Sequence, residues 1–302
     1  MGKIYDISIV GGGPAGLTAA LYGLRNGKSV MVIEKSVFGG QIVNSPKVEN
    51  IPGFASISGD EFGDLMLNQV TGQGGEVNFD EVKSIEPGEI VTLNLDLGEP
   101  IQAKTVIIAT GTKHRTLGLA NEEEYIGKGI HFCAVCDGNF YAGKKVVMVG
   151  GGNSAFVEAN LLADIVSELV MLQDMDHFTA EAKLQEKLNS KANVEKHVST
   201  KILEYIIKDN KLCGLKYSEN GEEKTIECDG LFLAVGLVPD NKAFTNVADI
   251  DDRGYFISDE TAKTKTSNIF VAGDCRCKTL RQVATACSDG ANAAINACKY
   301  LG

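Results

Sequence analysis

Residues 4–34 read IYDISIVGGGPAGLTAALYGLRNGKSVMVIE. The first seven alternate and are rich in branched side chains, which predicts a strand over Ile4–Val10. Gly11–Gly13 breaks it, Pro14–Asn26 reads as a helix, and Ser29–Ile33 reads as a second strand. Strand, glycine turn, helix and strand make a βαβ unit. The spacing Gly11-x-Gly13-x-x-Gly16 has a physical reason at each place. The first glycine allows the tight turn, the second lets the backbone approach a pyrophosphate, and the third lets helix and strand pack closely. The helix N-terminus then faces the phosphates. Glu34 follows Gly16 by 18 residues, the place of a carboxylate that takes ribose hydroxyls.

The plan recurs. Lys145–Val149 reads as a strand, Gly150–Gly152 as a glycine turn, Ser154–Ala163 as a helix and Glu168–Leu172 as a strand. VIIATG at 106–111 and LFLAVG at 231–236 are a second pair of echoes. NIFVA at 268–272 is a further buried strand, but it leads through Gly273-Asp274 into a helical tail over Arg281–Tyr300 without a glycine turn of its own. That order suggests an insertion. The expected fold is α/β, with two Rossmann-like dinucleotide-binding domains of three layers, the second set into the first. Residues 1–115 and 244–302 would form the outer domain, and 116–243 the insert. Two linkers would let one rotate against the other.

Composition narrows the function. The 302 residues carry 34 glycines without a Gly-X-Y period and only 6 prolines, which excludes collagen and Pro-rich disorder. A net charge of −11 argues against a general nucleic-acid binder. No run approaches the ~18 apolar residues of a membrane span, and the apolar start is too short for a signal peptide, so a cytoplasmic protein is expected. In that reducing setting the eight cysteines are expected to be thiols, catalytic dithiols or metal ligands.

Cys133-Ala134-Val135-Cys136 followed by Asp137 is the second chemical signal. Two thiols at this spacing can form a reversible disulfide, and a carboxylate beside them can hold and return a proton. A half zinc site is the competing reading. Its remaining ligands would be Cys275 and Cys277, an unusual zinc spacing, and no metal is expected. His131, two residues before Cys133, could tune it. Cys213, Cys228, Cys287 and Cys298 read as core positions.

The chain resembles the low-molecular-weight thioredoxin reductases over nearly its whole length. The resemblance is carried by GGGPAG at 11–16, GGQ at 39–41, VENIPGF at 48–54 and IATGTKHRTLGL at 108–119. GIHFCAVCDGNFYAGKKV at 129–146, GGGNSA at 150–155, AGDC at 272–275 and RQVATA at 281–286 complete it. It implies a homodimer that binds FAD on the outer domain and reduces thioredoxin. Gly11, Gly13, Pro14, Ala15 and Gly16 would hold the pyrophosphate, and Glu34 the adenosine ribose. Gly40, Gln41 and Asn50 would line the flavin, Val82 would meet the adenine, and Gly111 would close a strand end beside the cofactor. Gly273 would border the cofactor, Asp274 would bind the ribityl chain, and Arg281-Gln282-Val283 would bring a helix N-terminus to the pyrimidine edge. Cys136 would exchange electrons with the flavin, Cys133 would attack the partner disulfide, and Asp137 would be the acid. Asn44-Ser45 stands where the family usually has threonines.

One departure matters more. The family usually holds the 2′-phosphate of NADPH with a His-Arg-Arg run and a further arginine four residues on. Here residues 169–182 read LVMLQDMDHFTAEA, with Gln173, Asp174 and Met175 in the run and Thr179 for the later arginine. Val157 and Asn153 replace two further acidic residues of the family. Arginine suits phosphate through its charge and fork, and Asp174 would repel it. NADPH is therefore not expected to be the donor. Two expectations follow. The favoured one is reduced ferredoxin, since the chain resembles the ferredoxin-dependent flavin thioredoxin reductases. The other is NADH, with Asp174 as its ribose acid, 19 residues after Ala155. A ferredoxin is normally acidic, so it would need a local basic face. Arg276, Lys278 and Arg281 are the favoured cluster. Lys183, Lys187 and Lys191 read as a solvated helix face. A redox sensor without turnover and a zinc-stabilised nucleotide module are the competing functions from other classes.

Overall fold

The computed structural model describes residues 3–45 and 48–302, apart from the side chains of Asn44, Val135 and Cys136. The chain divides into two compact units, 1–113 with 238–302, and 114–237.

The first unit is built on the opening βαβ. Strand Ile4–Val10 runs parallel between Val30–Glu34 and Ile101–Ile108. Glu76–Phe79 extends the sheet beyond Val30–Glu34, again parallel. On the other side, Ile101–Ile108 pairs antiparallel at its start with Val91–Leu95, which pairs with Val82–Glu86. Its far end pairs parallel with Ile269–Val271. Period-two alternation in Ile4–Val10 sends Ile7 and Ile9 to one face, where they meet Leu17, Ala20, Ala293 and Ala297 from helices Pro14–Arg25 and Val283–Leu301. Val10 goes to the other face with Ile33, Ile85, Leu93, Phe244 and Phe256. Those two helices touch closely because Gly290 is opposite Ala15: a Cβ there would lie 2.1 Å from the Ala15 carbonyl oxygen.

The second unit repeats the nucleotide-type core. Five parallel strands lie in the order Val194–His197, Glu168–Leu172, Lys145–Val149, Gly230–Leu233, Ile130–His131. The near-continuous apolar composition of the three central ones is that of strands buried on both faces. A separate antiparallel sheet joins Thr200–Lys208, Lys211–Glu219 and Glu222–Glu227. Its two-residue turns, Asp209-Asn210 and Asn220-Gly221, have positive φ at both positions, the backbone that matches strand twist in tight hairpins.

The fold is the expected α/β pair of Rossmann-like units. The expected boundary at 243/244 is corrected: the chain rejoins the first unit at Val238. Long-range bonds of Asn241 decide this. It is 1% exposed, its Nδ2 donates to the Gly254 and Cys275 carbonyls, and its Oδ1 accepts from Thr110 Oγ1. Asp240 pairs with Lys35 and Lys113 of the same unit. At the other junction, Lys113 is the last residue of the first unit, so Arg115 belongs to the second.

Candidate active site

Each glycine of the first turn meets its own constraint. A Cβ on Gly11 would stand 2.3 Å from the Ala109 carbonyl oxygen, and one on Gly16 would stand 1.9 Å from the Gly11 oxygen. Those two are dictated by the protein itself. Gly13 is different. It has an ordinary φ of −79°, and the nearest atom to a Cβ there is Gly40 Cα at 3.8 Å. Helix Pro14–Arg25 begins at this open spot with no side-chain cap and no acidic residue in its first turn. Unpaired N–H groups and free space at one helix end suit a pyrophosphate. Glu34 is buried beside the turn, where Oε2 accepts from Gly12 N at 2.7 Å and Oε1 from Ser36 N at 2.7 Å. Each oxygen keeps a lone pair for a ribose hydroxyl.

The other expected residues lie in the same unit. Gly40 has φ of 66° and Gly111 of 64°, backbone that favours glycine. Gln41 Nε2 donates to the Thr112 carbonyl at 2.7 Å, and Asn50 Nδ2 donates to Gln282 Oε1 at 2.9 Å. Val82 is buried at the start of its strand. At the start of helix Val283–Leu301, Gln282 N donates to Thr285 Oγ1 at 3.1 Å. Asp274 carries an orphan: Oδ1 is buried with no hydrogen-bond partner, and Lys278 Nζ stands 3.4 Å away. Burial pushes this carboxyl up against the pull of Lys278. A buried acceptor without a donor fits a ribityl hydroxyl. The open turn, the uncapped helix and this orphan oxygen fit the FAD that the residues imply.

The basic cluster is corrected. Arg276 is 5% exposed, and its guanidinium grips Asp289 through Nε–Oδ2 at 2.8 Å and Nη2–Oδ1 at 2.9 Å. Lys278 is nearly buried and pairs with Asp289 at 3.0 Å. Arg281 stacks on Tyr255, 4.0 Å from the ring centroid. These cations are internal partners, not a basic face. Asp289 itself was missed; its only signal is a lone acid among alanines and glycine in the last helix. Lys183 and Lys187 are exposed on helix Ala182–Asn189, and Lys191 pairs with Asp164 just beyond it.

In the second unit Cys133 is disulfide-bonded. The Cys136 side chain lies outside the described residues. Helix Ala134–Asp137 follows, and Asp137 N donates to the Cys133 carbonyl at 3.1 Å. His131, on the short strand before, places Nδ1 2.9 Å from Asp137 Oδ2. Its Nε2 lies 2.8 Å from the Tyr141 hydroxyl. Beneath this segment, Glu158 Oε2 accepts from Ala134 N at 3.3 Å. Burial pushes the Glu158 carboxyl up to about 7, against that N–H. Glu158 was also missed, since nothing in its spacing marks it. Cys213, Cys228, Cys275, Cys277, Cys287 and Cys298 are free thiols. Burial holds the Cys275 thiol up at about 11, which makes it a poor partner for Cys277 in exchange. Among the described residues no cluster of His, Cys, Asp and Glu could hold a metal ion.

The second glycine turn lacks charge where the first has it. Gly11 N donates to the Ile33 carbonyl and Gly150 N to the Leu172 carbonyl, so Gln173 is the counterpart of Glu34. This corrects the placement of Asp174 as the ribose acid: it lies one residue further on and is exposed. Gln173 is buried, and its amide would be 2.5 Å from a Cβ on Gly151. Thr179 Oγ1 is the atom nearest to a Cβ on Gly152, at 3.7 Å. The unit contains a single arginine, Arg115.

Two dinucleotide-type units, one holding a disulfide in a Cys-x-x-Cys segment with an adjacent carboxylate, define a disulfide oxidoreductase of the flavoprotein class. The model of the pyridine nucleotide-disulphide oxidoreductase family matches residues 5–290. A thioredoxin reductase of Listeria monocytogenes is 40% identical over 99% of this chain and 94% of its own length. The crystal structure of the Lactococcus lactis thioredoxin reductase is 33% identical, with a TM-score of 0.94 over 98% of this chain and 99% of that one. A ferredoxin-flavin thioredoxin reductase of Clostridium acetobutylicum is 28% identical, with a TM-score of 0.54 over 98% of both chains. The chain belongs to the pyridine nucleotide-disulphide oxidoreductases, in their thioredoxin reductase branch. No helix among the described residues is long and apolar enough to cross a membrane.

Proposed function

We propose that the chain is an FAD-dependent thioredoxin reductase that takes its electrons from reduced ferredoxin. The disulfide at Cys133 in a Cys-x-x-Cys-Asp segment carries the first half of this reading. FAD, when bound, supplies the two-electron carrier that reduces this disulfide. Gly11, Gly13, Pro14, Ala15 and Gly16 would hold its pyrophosphate, Glu34 its ribose and Asp274 its ribityl chain. Gly40, Gln41, Asn50, Gly111, Gly273, Arg281, Gln282 and Val283 would border the ring system, and Val82 the adenine.

In the reduced protein Cys133 attacks the thioredoxin disulfide as thiolate. One sulfur of thioredoxin leaves and takes a proton from Asp137. Cys136 then attacks Cys133, the mixed disulfide breaks, and thioredoxin departs as a dithiol with two electrons. Phe140, 71% exposed and three residues past Asp137, offers an apolar contact for the partner. The working form is a cytoplasmic homodimer.

The donor half rests on the second glycine turn. Gln173, Asp174, Met175 and Thr179 bring no cation to a 2′-phosphate, and the place of Glu34 is taken by a neutral amide rather than a ribose acid. Both nicotinamide donors therefore lack their recognition group. The reading rests on this loss more than on likeness, because the relative with the higher identity is named simply a thioredoxin reductase. The test is anaerobic and adds reduced ferredoxin, NADPH or NADH to separate samples. Ferredoxin should bleach the flavin quickly. Rapid bleaching by NADPH or NADH would overturn the donor assignment and leave the disulfide chemistry standing.

A further inference from the structure

His131 is buried to 5% exposure in a position that a core side chain would normally fill. Its ring stacks on Phe232, with centroids 5.3 Å apart, and meets Tyr141 edge-on. Packing therefore fixes the plane, and both ring nitrogens face groups that exchange protons. Nε2 lies 2.8 Å from the Tyr141 hydroxyl. Nδ1 lies 2.9 Å from Asp137 Oδ2, yet the angle falls short of a hydrogen bond. Asp137 is the looser partner, with its side chain 31% exposed, so a small turn of its carboxyl would align the pair.

Tyr141 is held as firmly. A Cβ on Gly230 would stand 2.3 Å from its ring, so only glycine leaves room there. Tyr141 also lines a groove of about 930 Å³ together with Lys128, Lys144 and Lys211. Burial and then the charge of Asp137 raise its hydroxyl above the usual tyrosine range, which keeps it protonated. Asp229, before strand Gly230–Leu233, adds to the negative field at that hydroxyl. From the helix below, Glu158 faces Ala134.

We infer that His131 is a positioning and proton-relay residue for Asp137, linking it through Tyr141 to water in the lysine-lined groove. This rests on Cys133 and Cys136 being a redox dithiol with Asp137 as its acid. When a sulfur leaves, it takes the Asp137 proton. Nδ1–H then passes its proton to Asp137, the Tyr141 O–H passes its own to Nε2, and groove water restores the tyrosine. One proton enters from solvent, and no charge stays on either ring. Uptake of the proton released when Cys136 attacks runs the chain in reverse.

The test uses the holoenzyme and needs neither thioredoxin nor an electron donor. Dithiothreitol reduces the Cys133 disulfide at a rate read by rapid alkylation and mass, from about pH 6 to about pH 9. Water can reprotonate Asp137 directly at low pH, so His131→Asn should lose little there and on the order of 10-fold at high pH. Tyr141→Phe, which keeps the ring against Gly230, should show the same widening gap at smaller size. A loss of equal size at every pH, or no loss in Tyr141→Phe, would overturn the relay. A parent disulfide that dithiothreitol does not reduce at all would instead remove the dithiol reading beneath it.

Discussion

Replacing Glu158 by glutamine should stabilise the protein at alkaline pH and leave it nearly unchanged in acid. Burial raises the Glu158 carboxyl from 4.5 to about 7. The folded chain therefore holds a proton that the unfolded chain releases near its ordinary value. Stability falls as pH rises through that window and levels off above it. At about 1.4 kcal/mol per decade, ionising the folded group costs at most about 3 kcal/mol. Glutamine has the same size, still accepts the Ala134 N–H, and never ionises. The variant should match the parent within about 1 kcal/mol near pH 5 and exceed it by up to about 3 kcal/mol near pH 8. In melting temperature the gain is roughly 5 °C. Calorimetry of both proteins with FAD bound, across that range, measures it. A variant that melts at or below the parent at pH 8 would refute the buried, proton-holding Glu158.

The nucleotide turns and the ion-pair network give further expectations. Gly13→Val should fold and melt close to the parent without FAD, because a Cβ there meets nothing nearer than 3.8 Å, yet it should lose the yellow cofactor. Arg276→Met should cost about 3 kcal/mol in urea unfolding, because Asp289 loses its two guanidinium bonds and is left buried with Lys278 and the Gly273 N–H. The triple variant Asp174→Arg, Met175→Arg, Thr179→Arg should gain flavin reduction by NADPH that the parent lacks, read anaerobically.

Much of this was legible along the chain, because both nucleotide turns and the Cys-x-x-Cys segment are local patterns. A strand of seven residues, three glycines and a helix announce themselves by periodicity and by backbone need. What long-range contact decides was not legible. Residues 238–243 join the first unit through bonds from Asn241 to positions distant in sequence. Arg276 and Lys278 read as a free basic cluster until Asp289, on another element, is seen to hold them. The counterpart of Glu34 could be named only from strand register, which selects Gln173 and passes over Asp174. His131 and Asp137 both stood out by their nearness to Cys133, but the contacts that join them to each other and to Tyr141 did not.

The central claim is that electrons pass from the flavin through the Cys133 disulfide to thioredoxin. It is tested most directly without any physiological donor. The FAD-bound protein is reduced anaerobically with dithionite, freed of excess reductant, and mixed with oxidised thioredoxin. The flavin colour should return, with two thioredoxin dithiols formed per flavin reoxidised, one from the protein's own dithiol and one from the flavin, and neither should happen in Cys133→Ser. A flavin that stays bleached in the parent, or one that recovers equally in Cys133→Ser, would contradict the account.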